Sequence, residues 1–114
     1  MRKVEKLMVE AIKQGKNFSL QNTRVEHRKV EHEGNSLHTF VYLHGNMIAD
    51  FCFERESVYF TTAGWATRTT MSRLNALAQS FCINLHFGIK NFTPTAYRLG
   101  KVDPAPTWHY YAVR

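Results

Sequence analysis

The chain has 114 residues, enough for one modest core and one domain spanning 1–114, and a hydrophobic content of 44% argues against wholesale disorder. No apolar run approaches the roughly 20 residues that cross a bilayer, and Met1-Arg2-Lys3-Val4-Glu5-Lys6 lacks the apolar stretch of a secretion signal, so the sequence predicts a soluble cytoplasmic protein with no membrane partner. The net charge of +6 sits unevenly, because residues 58–114 hold Arg68, Arg73, Lys90, Arg98, Lys101 and Arg114 against Asp103 alone, and such a field draws nucleic acid, an acidic protein surface or anionic lipid without choosing among them.

The first element is a helix. Val4, Leu7, Met8, Ala11 and Ile12 recur at helical spacing with charged residues between them, and Gly15 stands where a left-handed cap ends such a segment. That stripe is expected to pack on a sheet. Its polar side mixes Glu5 and Glu10 with lysines, and the apolar side carries no aromatic residue, which speaks against a membrane-surface helix.

From Thr23 to Phe60 the pattern turns to strands. Thr23 to Glu31 is charged, as suits an edge strand, and Glu33-Gly34-Asn35-Ser36 reads as a turn into Leu37 to Leu43. Gly45-Asn46 signals a two-residue hairpin, Met47 to Phe53 returns, Glu54 to Ser57 turns, and Val58 to Thr61 adds a short strand. After a loop at Gly64 to Thr70, Met71, Leu74, Leu77, Ala78 and Phe81 mark a second helix with Thr69 or Thr70 as its N-cap. Asn84 to Ile89, Thr95 to Leu99 and Thr107 to Val113 read as further strands, and the prolines between Lys101 and Pro106 read as loop. The order α-β-β-β-β-α-β-β, with one more strand allowed, predicts an α+β fold in which two helices pack on one face of a small antiparallel sheet.

The loop and helix start from Gly64 to Leu77 form the leading candidate site. The first amides of a helix have no partner inside it and carry partial positive charge. Thr67, Thr69, Thr70 and Ser72 add hydroxyls, Arg68 and Arg73 add charge, and Trp65 offers a ring to stack on a base. Caps, a core plug and a snorkelling arginine account for the same residues in purely structural terms. A secondary candidate is the set Arg98, Lys101 and Trp108, which places an aromatic ring among cations on a strand.

Other chemistries find little footing. The sequence contains no Gly-x-x-x-x-Gly-Lys-Ser/Thr string for a nucleoside triphosphate. The six histidines, 27, 32, 38, 44, 86 and 109, lack the close spacing of a metal site, and no nucleophile is paired with a base, so neither a cofactor, a metal nor an enzyme activity is expected. Cys52 and Cys82 stand far apart and are expected as two buried thiols. Self-association is a further option, through edge strands at Thr23–His32 or Thr107–Val113.

Two strings, Val41-Tyr42-Leu43-His44-Gly45-Asn46-Met47-Ile48-Ala49 and Gly64-Trp65-Ala66-Thr67-Arg68-Thr69-Thr70-Met71-Ser72-Arg73-Leu74-Asn75-Ala76-Leu77, resemble small accessory proteins of tailed bacteriophages. The resemblance covers roughly residues 20–90, and in that pattern a basic residue is expected where Met71 stands. It implies an infected bacterial cytoplasm and a role outside the virion. Combined with the charge, it leads to a non-enzymatic protein that binds DNA or RNA, or alternatively one that inhibits or redirects a host or defence enzyme by binding it.

Overall fold

A computed structural model describes residues 1–64, 67–98, 101–104 and 107–111. Helix α1 spans Lys3–Gln14 and buries Val4, Met8, Val9, Ala11 and Ile12. Gly15 ends it at φ 67°, and the Lys16 amide returns to the Ala11 carbonyl at 2.9 Å, the closure that the sequence predicts. Strands β1 (Phe18–Leu20), β2 (Thr23–Val30), β3 (Ser36–Leu43), β4 (Asn46–Cys52) and β5 (Ser57–Thr61) then form an antiparallel meander. Helix α2 spans Arg68–Ser80, followed by β6 (His86–Lys90), β7 (Thr93–Arg98), β8 (Lys101–Pro104) and β9 (Thr107–Tyr111).

The α+β class and the antiparallel pairing agree with the expectation, with two additions and one correction: Lys101–Pro104, expected as loop, is the edge strand β8, which tolerates Pro104 as its last residue. β1 precedes the meander, and β6, β7 and β8 leave the main sheet to form a three-stranded sheet of their own. The main sheet has six strands in the order β1-β2-β3-β4-β5-β9, so the chain returns to it only at β9. β2 is therefore an edge strand over its second half alone, since Thr23, Arg24 and Val25 pair with β1.

Turn chemistry fixes the registers. The hairpin loop between β3 and β4 is His44-Gly45, one residue earlier than expected, because Leu43 pairs with Asn46 and both loop residues have positive φ, 52° and 78°. A bulge shifts the pairing from Val41–Ala49 to Tyr42–Met47, and both Ile48 and Ala49 are buried as a result.

Both helices cover the face carrying Val25, Val41, Phe51 and Phe60, where Met8 and Ile12 of α1 meet Leu74 and Leu77 of α2 in one core cluster. A file of rings runs through it: Phe51 to Phe60 at 6.0 Å, Phe60 to Phe87 at 5.2 Å and Phe87 to Trp108 at 5.0 Å between centroids, each in an edge-on arrangement. On the opposite face Arg24 lies over Tyr42 and Arg28 over Phe40, each 4.2 Å from the ring centroid, with Glu26 between the two guanidinium groups. Both cysteines are free thiols; Cys52 is buried as expected, whereas Cys82 is exposed just past α2, at φ 56°.

Candidate functional site: a groove between the two helix starts and the small sheet

The start of α2 is built differently from the expectation. Thr67, extended at φ −104° and ψ 164°, is the N-cap in place of Thr69 or Thr70, and its hydroxyl oxygen accepts the Thr70 amide at 3.1 Å. Thr70 is already helical and buried, and its hydroxyl meets that of Thr67 at 3.0 Å. Thr69 is half-buried, and Arg68 is exposed at the first helical position. Trp65 lies outside the described residues.

Ser72 and Arg73 face α1. The Arg73 guanidinium, 3% exposed, donates to Glu5 Oε2 at 2.7 Å and to Thr23 Oγ1 at 3.1 Å, and the Ser72 hydroxyl donates to the same Glu5 oxygen at 2.6 Å. The Arg2 amide donates to Glu5 Oε1 at 3.1 Å. Burial pushes the Glu5 carboxyl up, but the Ser72 hydroxyl, the Arg2 amide and Arg73 together outweigh it and hold the group below its ordinary value. The Arg73 charge is thus matched inside the protein by a carboxylate, and the cation left at the helix start is Arg68.

The same pairing changes the surface of α1. From Arg2 to Lys16 the exposed ionic side chains are Arg2, Lys3, Lys6, Lys13 and Lys16 against Glu10 alone, because Glu5 has left the surface. Lys3, Lys6, Glu10 and Lys13 share one face, and Lys3 to Lys13 spans about 15 Å of helix. Sequence reasoning assigned Glu5 to the polar side. The available signal was its phase, since Met8, Val9 and Ile12 follow it at i+3, i+4 and i+7 and all three are buried.

Arg68 lines an open groove of about 650 Å³ with Met1 and Glu5 from the start of α1, Met71, Ser72, Asn75, Ala76 and Gln79 from α2, and Gly88 and Ile89 from β6. Asn75 fixes the far wall. Its side-chain amide donates to the Phe87 carbonyl at 2.9 Å and its oxygen accepts the Phe87 amide at 2.7 Å, which fastens β6 along the helix. Among the described residues the single carboxylate on the groove, Glu5, is already held by three donors.

Of the secondary candidates, Arg98 and Lys101 are cross-strand neighbours and Trp108 stands apart from them in the core. Arg98 is exposed at the end of β7, in register with Lys101 of β8. Trp108 is only 5% exposed and packs on Phe87, so it belongs to the core; its phase on β9 matches Phe60, its register partner on β5, and that face is the covered one. Among the histidines, His38 Nδ1 lies 2.7 Å from Asp50 Oδ1, and His27 Nδ1 lies 2.8 Å from the Thr39 hydroxyl. Among the described residues no three His, Cys, Asp or Glu side chains gather as a metal-holding group, and no helix is long and apolar enough to cross a membrane.

No curated protein and no solved structure matches the chain. A family model does, over residues 1–103, which extends past both ends of the stretch that carries the phage resemblance. The matched family is described as the Kyanoviridae Gp96 protein, and this chain belongs to that family of phage proteins.

Proposed function

We propose that the protein acts by binding nucleic acid in the cytoplasm of the infected bacterium, without catalysis, through phosphate contacts from Arg68 and the basic face of α1. The observation that carries this reading is the internal Glu5–Arg73 pair. It withdraws one acid from α1, leaving five exposed cations there against Glu10, and Glu5, the carboxylate that lines the groove with Arg68, is already occupied. Lysines spaced along a helix suit a phosphate backbone, which carries one charge at each step and asks for no particular base. The hydroxyls near the helix start take a supporting role: those of Thr67 and Thr70 cap the helix, and that of Ser72 holds Glu5.

The test is an anisotropy titration of labelled single-stranded and duplex DNA and RNA across a salt series. Binding is expected to weaken linearly on a log–log plot, and Lys3→Ala, Lys6→Ala and Arg68→Ala are each expected to lower the slope by about one. Absence of binding to every probe at low salt overturns the reading. An acidic host protein recovered by pull-down after nuclease treatment, with no nucleic-acid binding, transfers the same basic surface to the alternative of a protein-directed inhibitor.

A further inference from the structure

The loop between β6 and β7 is a two-residue turn, Asn91-Phe92, closed by the Lys90–Thr93 pair. Both residues have positive φ, 51° and 64°. Turns of this kind take Asn-Gly, because the second position sits where a side chain is disfavoured and glycine is not. Here a phenylalanine occupies it, and its side chain is 100% exposed. The position thus carries a backbone conformation unsuited to its residue and a large apolar ring in water, and no packing inside the fold offsets either. What the arrangement delivers is a fully exposed aromatic ring held at the end of a two-residue hairpin turn.

The surroundings define what such a ring would meet. From His86 to Arg98 the hairpin contains Lys90 and Arg98 and no carboxylate. Tyr97 lies across Gly88, where a Cβ would stand 3.7 Å from its ring, and the His86 ring follows at 6.4 Å, so rings and a cation share the strand face leading to the tip. Gly88 and Ile89 of the same hairpin form one wall of the groove that holds Arg68. Arg68 therefore lines a groove whose far wall is the hairpin that carries the unpacked ring at its tip.

We infer that Phe92 is a stacking finger for an unpaired base, so that the ligand bound along the groove is single-stranded nucleic acid. This rests on the phosphate-binding reading above and narrows its substrate. A duplex offers phosphates but keeps its rings stacked against each other. A single strand offers both, and stacking on an aromatic side chain tolerates any base.

The experiment compares wild type, Phe92→Gly and Phe92→Trp in the full chain. The probes are labelled oligo(dT) and oligo(rU), with a blunt duplex of equal length. Phe92→Gly is expected to weaken single-strand binding by about fivefold to about a hundredfold. Its salt slope and duplex affinity should stay unchanged, and Phe92→Trp should restore single-strand binding. The glycine variant should also melt at or above the wild-type temperature, since it relaxes the turn, and that separates a lost contact from a lost fold. Single-strand affinity unchanged in Phe92→Gly, or duplex and single-strand affinity falling together, overturns the stacking role while leaving the phosphate reading in place. Wild type binding no probe overturns both.

Discussion

A carboxylate at 2% exposure is tolerable only when its charge is met on more than one side, and Glu5 is met by Ser72, Arg73 and the Arg2 amide. Removing one partner strands the other without water. Glu5→Ala and Arg73→Ala are each expected to cost about 3–5 kcal/mol in chemical denaturation, and Ser72→Ala less. The pH dependence follows from the sign of the shift. A carboxyl whose folded value is lowered contributes stability that is fully present above its unfolded value and is lost as pH falls through the folded one. Wild type should therefore lose melting temperature more steeply than Glu5→Gln between about pH 5 and about pH 2. At this scale the sequence was half legible. The threonines near Gly64 announced a helix cap, but the pairing of Glu5 with Arg73 joins residues 68 positions apart and leaves no local trace beyond the helical phase of Glu5.

Among the elements, those with a strong period were readable, and those held by a few specific contacts were not. The stripe Val4, Met8, Ile12 and the run Met71, Leu74, Leu77 each define a helix face, clustered β-branched and aromatic residues locate β3, and the alternation of Met47, Ala49 and Phe51 locates β4. β1 escaped notice because Phe18-Ser19-Leu20 is too short to show a period and its turn, Gln21-Asn22, reaches positive φ at both positions without a glycine. The small sheet escaped for a different reason. Its attachment depends on Asn75, whose two hydrogen bonds complete the backbone of Phe87. Asn75→Ala leaves an amide and a carbonyl without those partners and is expected to cost about 1–3 kcal/mol. Hydrogen exchange should show faster loss of protection at the Phe87 amide than at the centre of β3.

For the whole molecule, the decisive pairing is that of β5 with β9, which brings Thr61 opposite Thr107 and returns the chain to a sheet it left before α2. Nothing local announces which edge a late strand will join, so the composition of Thr107 to Tyr111 revealed a strand but not its neighbour. The return also seats Trp108 against Phe87, linking the small sheet to the large one. Trp108→Ala is expected to cost about 3–5 kcal/mol in denaturant unfolding, with loss of both sheets in one transition. The groove that Arg68 lines inherits this architecture, because one wall comes from α2 and the other from a sheet that Asn75 and Trp108 hold in place.

That late return has a consequence during synthesis. At about 5–20 residues per second, the ribosome needs on the order of a few seconds to add the stretch separating β5 from its last neighbour. Throughout that interval the nascent meander offers an unmatched ladder of amides and carbonyls, with Phe60 lacking the indole that later shields it. Crowded translation of a phage message would then favour intermolecular strand exchange at β5, and the yield of native protein would respond to how quickly the final segment emerges.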